Sequence, residues 1–346
     1  MRILVTGGCG FVGHHLVEHL LQSTGHDLVV VDSLTYAGRT DRLTDIDGYD
    51  PHRVDLVWHD LRAPIWAHLD DRIGHVDAVL HLASESHVDR SITDPVPFVH
   101  NNVDATLTML EWARTRKLSH FVQVSTDEVY GPAAEDQSHA EWSPIIPSNP
   151  YSASKAAQEA LGIAYWRTYD VPVVITNNMN VIGERQDCEK IVPKAIRALI
   201  LNEPVPIHAD ANNIPGSRFY LHARNIADAW RWLLENTRPD MYPERQRPSR
   251  WNIVGDEELD NLELVNIIGG ILGIEPKVKF IDFHQARPGH DRRYALDGSK
   301  IRSAGWKPPV ELRESLRRTV WWSVNHPEWL GLRREDVQHL QGRQTA

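Results

Sequence analysis

The chain has 346 residues, 41% of them hydrophobic, which is enough for one large core or two modest ones and excludes disorder as the default. Its formal net charge of -10 offers no general attraction to nucleic acid or to an anionic membrane, so any phosphate it holds must be gripped locally. Cys9 and Cys188 are its two cysteines and form no CxxC pair, which argues against a disulfide scaffold or a thiolate zinc site and fits a reducing cytoplasm.

In chain order, "RILVTG" reads as a strand that begins at the second residue, leaving no room for a signal peptide. "GHHLVEHLLQ" follows with helical period. His15 and His19 lie four apart on it and read as ordinary surface histidines rather than metal ligands. Further strand patterns are "DLVVVD", "RVDLVWHD", "DAVLHLA", "HFVQVST" and "VPVVITN", with helical segments such as "NNVDATLTMLEWART" between them. This alternation predicts an α/β, doubly wound (Rossmann) parallel sheet covered on both faces. Beyond about residue 180 the alternation weakens and prolines become frequent. A nucleotide-binding domain is therefore expected over 1–180 with a returning segment near 218–254, and a smaller α/β substrate domain over 181–217 and 255–330. The longest apolar run, "IIGGILGI", is far too short for a bilayer, and 331–346 reads as a polar, frayed tail.

"TGGCGFVG" joins the first strand to the first helix and spaces Gly7, Gly10 and Gly13 as G-x-x-G-x-x-G. The first glycine permits the tight turn, the second lets backbone amides approach a pyrophosphate, and the third lets helix and strand pack closely. Asp32 ends the next strand, where a carboxylate accepts from ribose hydroxyls and repels a 2'-phosphate, so NAD is expected rather than NADP. Phe11 and Val12 in the loop, and Asp60, Leu61, Leu82 and Ala83 after the third and fourth strands, are counted with this cofactor site. Cys9 reads as a small filler.

"YSASK" sets Tyr151 and Lys155 four apart at a helix start, hence on one face, where a lysine ammonium is expected to lower the phenol pKa. "STDEVYG" sets Asp127 and Glu128 side by side at a strand end. Both can reach one substrate only if the chain turns there, as "YGP" suggests, and crowding is expected to keep one carboxyl protonated.

With these motifs the sequence resembles the extended short-chain dehydrogenase/reductase family over nearly its whole length. "HLASESHVDRSI", "STDEVYG", "PSNPYSASKA", "EK" followed by Pro193, and "RPGHDRRYALD" are similar to motifs of dTDP-glucose 4,6-dehydratases. The resemblance implies NAD as hydride acceptor from C4 of a nucleotide hexose, with Tyr151 taking the hydroxyl proton and Thr126 beside it. Glu128 would remove the C5 proton, Asp127 would protonate the leaving C6 hydroxyl, and hydride would return to C6. It also implies that Arg218 grips the diphosphate, that Asn180, Glu189 and Lys190 position sugar and phosphates, and that Asn252 lies near the base or diphosphate. Ser84, Glu85, Arg287, His290 and Tyr294 are placed around the same cleft. A homodimer through the helix after "HNNVDATLTML" and the one carrying Lys155 is implied too, with Leu107, Leu110, Leu161 and Tyr165 in the seam. Departures cluster at the nucleotide wall: "NNYGP" becomes "NVIGE", with Glu184 for Pro, and "RDW" becomes "RFY". UDP-glucose or another nucleotide hexose is therefore a rival to dTDP-glucose, and a nucleotide-sugar epimerase is the competing activity.

Overall fold

The computed structural model describes residues 1–239, 247–282, 292–340 and 342. Strands β1 (Arg2–Thr6), β2 (Asp27–Asp32), β3 (Val54–Trp58), β4 (Ala78–His81), β5 (His120–Thr126) and β6 (Val173–Asn178) join Ser249–Ile253 in one sheet. The order is Ser249–Ile253, β6, β5, β4, β1, β2, β3, and every pairing is parallel. Their apolar runs are continuous because helices cover both faces: Val29, Val30 and Val31 are all buried.

Helix α1 (Phe11–Ser23) packs its Leu16, Val17 and Leu20 with Trp230 and Leu233 on one face. Met109, Leu110 and Tyr165 cover the other. The chain reverses its progress across the sheet between β1 and β4, and loops that diverge at such a point leave a crevice at the carboxyl ends.

A separate apolar cluster unites the helices Ile191–Ile200, Asn261–Leu272 and Leu312–Asn325 through Ile196, Leu264, Ile268 and Val320. Short ladders link it to the crevice: Val181–Ile182 with Leu221–His222, and Ser217–Phe219 with Glu258–Asp260. The tail expected to fray is folded through Leu340. Leu332, Val337 and Leu340 are buried in this second cluster, and their apolar contacts hold down a segment whose composition is polar.

Candidate active site

Glycine geometry builds the cofactor end. Gly7 has φ 73°, and a Cβ there would lie 2.9 Å from the Ala83 backbone, so the loops after β1 and β4 meet without side chains between them. A Cβ on Gly13 would come 2.1 Å from the Gly7 carbonyl oxygen, so only glycine lets α1 start this close to the turn. No side chain caps α1 at Gly10, which leaves its first amides, those of Phe11, Val12 and Gly13, available to an anion. The Leu82 and Ala83 amides both donate to Thr6 Oγ1 at 3.2 Å, fixing the opposite rim.

Asp32 is buried at the end of β2 and ties strand to loop: Oδ2 accepts from the Cys9 amide at 2.9 Å and Oδ1 from Leu34 at 2.8 Å. Burial raises its pKa, and these two amides oppose the rise. Asp60 is held by Arg62 beside buried Leu61. Open helix amides, glycines that a Cβ would obstruct and a strand-end carboxylate suit a dinucleotide with a free 2'-hydroxyl. Burial pushes the Cys9 thiol up to about 12, consistent with a filler.

The catalytic candidates sit on two segments. β5 ends at Thr126, whose hydroxyl caps a 3-10 turn over Asp127–Tyr130 by accepting from the Glu128 amide. Gly131 closes the turn at φ 78°, and a Cβ there would lie 2.4 Å from the Ile146 carbonyl oxygen. Strand alternation is thereby broken, and Asp127 and Glu128 both line the crevice. The second segment is the helix Pro150–Tyr169, started by a capping box between Asn149 and Ser152 with Pro150 in its first turn. It presents Tyr151 and Lys155, both buried, to the same crevice.

Electrostatics differ here from the expectation. Burial, together with facing Glu128 and Asp127, drives the Tyr151 phenol above its ordinary value, against a hydrogen bond with Thr126 that lowers it. Lys155 does not lower it: its ammonium donates to the Val124 carbonyl at 2.7 Å, and burial brings its own pKa down to about 7. Asp127 is raised to about 6, as expected, but burial is the cause rather than crowding by Glu128. Thr126 Oγ1 donates to its Oδ1 at 2.8 Å and Arg218 pulls the pKa back, while Oδ2 has no hydrogen-bond partner among the described residues. Asn149 does more than cap its helix, because its Nδ2 donates to Glu128 Oε2 at 3.2 Å. Asn149 followed by Pro150 is the sequence signal that could have revealed the cap, but not this second contact.

Among the described residues, every candidate except Asn252 lines the crevice. The far wall carries Asn180, Lys190, Arg218 and Tyr294, and Arg218 lies 4.5 Å over the Tyr294 ring while donating to the Ser217 and Arg292 carbonyls. Ser84, Glu85 and Glu189 guard the mouth, where Arg90 bonds Glu189 at 3.1 Å and stacks 3.9 Å over Tyr36, whose hydroxyl donates to Glu85 at 3.3 Å. Sequence spacing gave no sign of this Tyr36–Arg90 clasp. Asn252 is a correction: it is fully buried, and its amide donates to the His139 and Asp297 carbonyls at 2.9 and 3.2 Å, so it fastens loops instead of facing ligand. Arg287 and His290 lie outside the described residues.

The altered motif also has a partner set of its own. Glu184 is buried and accepts from His222 Nε2 at 2.9 Å, with Arg224 at 3.5 Å and His15 at 3.7 Å. Burial opposes its ionisation, but His222, His15 and Arg224 together hold its carboxyl below the usual range. His15 is thus a buried residue rather than a surface one, and His19 pairs with Asp228 at 3.3 Å.

The family described as GDP-mannose 4,6 dehydratase matches residues 4–319. dTDP-glucose 4,6-dehydratase 1 of Escherichia coli (strain K12) is 36% identical over 355 residues, which cover 95% of this chain and 94% of that protein. Among solved structures, DesIV, a dTDP-glucose 4,6-dehydratase from Streptomyces venezuelae with NAD bound, has a TM-score of 0.84 at 37% identity, covering 95% of this chain and 98% of its own. UDP-glucose 4-epimerase from Thermus thermophilus in complex with NAD has a TM-score of 0.82 at 29% identity, with 93% and 98% covered. The chain belongs to the nucleotide-sugar 4,6-dehydratase family of extended short-chain dehydrogenases/reductases.

Proposed function

We propose that this protein is an NAD-dependent hydro-lyase that converts dTDP-glucose to the dTDP-4-keto-6-deoxy sugar and water, with UDP-glucose as the rival substrate. The observation that carries the reading is the turn after Thr126, which brings Asp127 and Glu128 into one crevice with Tyr151 and Lys155. The Phe11–Gly13 amides would hold the pyrophosphate of bound NAD and Asp32 its ribose, and the cofactor would supply an acceptor for the C4 hydride that is returned to C6 once water has left.

Tyr151, hydrogen-bonded to Thr126, would take the C4 hydroxyl proton as a phenolate, a form that burial and the two acids oppose and that the positive nicotinamide ring of bound NAD would favour. The 4-ketone acidifies C5, and Glu128, oriented by Asn149, removes that proton. Asp127, raised to about 6, donates to the C6 hydroxyl as it leaves as water. An epimerase shares the cofactor loop and the Tyr151–Lys155 pair but has no use for the adjacent acids.

Incubating the NAD-loaded enzyme with dTDP-glucose and UDP-glucose separately, without added reductant, tests this. The 4-keto-6-deoxy product is expected from one or both, and kcat/KM ranks the nucleotides. Retention of all water by both substrates would overturn the reading.

A homodimer in the cytoplasm completes the proposal. Exposed Ile92, Val96, Val99 and Leu107 support an apolar contact on the 88–113 segment, and two free cysteines suit a reducing compartment. Leu110 and Tyr165 pack inside the chain instead, and Leu161 packs partly against the same cluster. Among the described residues no helix is long and apolar enough to cross a membrane. A monomer by light scattering at micromolar concentration would remove the dimer.

A further inference from the structure

One fully buried ion pair lies behind the site, away from the crevice. Glu159 is one turn beyond Lys155 on the Pro150–Tyr169 helix, and its Oε2 accepts from Arg250 Nη2 at 2.5 Å with both side chains at 0% exposure. Burial of two charges is costly unless their remaining hydrogen-bonding capacity is used, and here that capacity is directed at the two catalytic segments. Glu159 Oε1 accepts from Asn177 Nδ2 at 2.7 Å, and the same Nδ2 donates to the Thr126 carbonyl at 2.9 Å. Arg250 Nη1 donates to the Tyr130 hydroxyl at 3.2 Å and to the Glu141 carbonyl at 3.0 Å, with its guanidinium 4.2 Å over the Trp142 ring.

Thr126 and Tyr130 are the residues that bracket Asp127 and Glu128. The pair therefore reaches the start of the acid turn through Asn177 and its end directly, while being anchored, through Glu159, in the helix of the proton acceptor. Arg250 comes from the edge strand Ser249–Ile253, which pairs β6, so the sheet itself is the rigid frame.

We infer that Glu159 and Arg250, with Asn177, are positioning residues that fix the Thr126–Tyr130 turn against the Tyr151–Lys155 helix and keep the Lys155 ammonium in place. The inference rests on the dehydratase reading for the reaction, but not for the geometry. The carboxylate of Glu159 is the influence that opposes loss of the Lys155 proton, burial being the one that favours it. Another titratable group that feels Lys155 is His81 on β4, which burial and then Lys155 push to about 3 and which is therefore neutral.

The test compares NAD-loaded wild type, Glu159→Gln, Glu159→Asp and the double variant Glu159→Gln/Arg250→Met. Measurements are kcat, KM, Tm and the titration of Lys155 by NMR of ε-13C-labelled lysine, assigned with Lys155→Met. The double variant removes both buried charges together, so its Tm is expected to return towards wild type even if Glu159→Gln is too unstable to purify. Its kcat is still expected to fall about 10- to 100-fold with KM unchanged, because the turn has lost its tether. Glu159→Gln is expected to move the Lys155 titration down by about one pH unit, and Glu159→Asp to restore most of it.

If kcat tracks Tm across the set, or Lys155 titrates alike in wild type and Glu159→Gln, the inference is overturned. A wild type that releases no water from any substrate would sink the dehydratase reading alone, since the Lys155 titration then decides the role of the pair without activity.

Discussion

The two ends of the crevice are built by different means. At the cofactor end, backbone lines the crevice, and close approach of Gly7 to Ala83 and of Gly13 to Gly7 leaves one residue type possible at each position. At the far wall, side chains on short ladders line the crevice, and behind it Glu184, which stands where the family pattern has Pro, accepts a hydrogen bond from His222 and pairs with Arg224. A steric constraint on backbone admits no compensation, whereas a buried charge can be met from several directions. The cofactor is consequently better determined than the nucleotide.

Substitutions can break this contrast. The largest effect is expected where the two ends meet: Asp127→Asn should slow water elimination by about 10²–10⁴-fold while C4 oxidation persists, visible as accumulating NADH absorbance. Because Asp127 acts as an acid and titrates at about 6, wild-type turnover should decline as pH rises through that value, and the variant should lack this limb. Normal dehydration by the variant would refute the assignment.

Gly13→Ala comes next. Its Cβ would meet the Gly7 carbonyl oxygen at 2.1 Å, so the loop must shift, and NAD affinity should drop by roughly 10²-fold, about 2.7 kcal/mol, by calorimetric titration. NAD binding equal to wild type would mean that the loop is not sterically fixed.

Behind the wall, Glu184→Gln should be milder, destabilising by about 1–3 kcal/mol at pH 7 with little change in NAD affinity. The signs follow from the shifts. Glu184 is depressed, so its stabilisation is present above the unfolded carboxyl value of about 4.3 and is lost as pH falls below it. His222 is lowered by burial, so stability also declines as pH falls through about 6.5, where the unfolded histidine protonates first. Thermal melts between pH 3 and 8 should show the lower of these slopes flattened in the variant. An unchanged slope would exclude Glu184 as its source. The smallest functional effect is expected for Asn252→Ala, which should reduce Tm while leaving KM for the nucleotide sugar within about twofold, since its bonds are to the His139 and Asp297 carbonyls.

Much of this was legible in the sequence, for local reasons. The strands showed as apolar runs because a parallel sheet is buried on both faces, and the acid turn showed in "TDEVYG" because neighbouring residues cannot face one way without a turn. Asn252 misled because its place was implied by resemblance alone, and a buried Asn in an edge strand serves equally to face a ligand or to fasten loop carbonyls. The tail misled because Leu332, Val337 and Leu340 are too few to set a pattern, yet suffice once a partner surface exists.

The sequence by itself determined the cofactor loop, the parallel sheet and the identity of the acid pair, all properties of neighbouring residues and their backbone. Only the tertiary structure decided that burial rather than crowding raises Asp127, that Lys155 spends its ammonium on the Val124 carbonyl, and that Glu159 meets Arg250 from 91 positions away. The physical reason is that desolvation and buried charge pairing depend on everything packed around a group, and that surrounding is assembled from segments far apart in the chain.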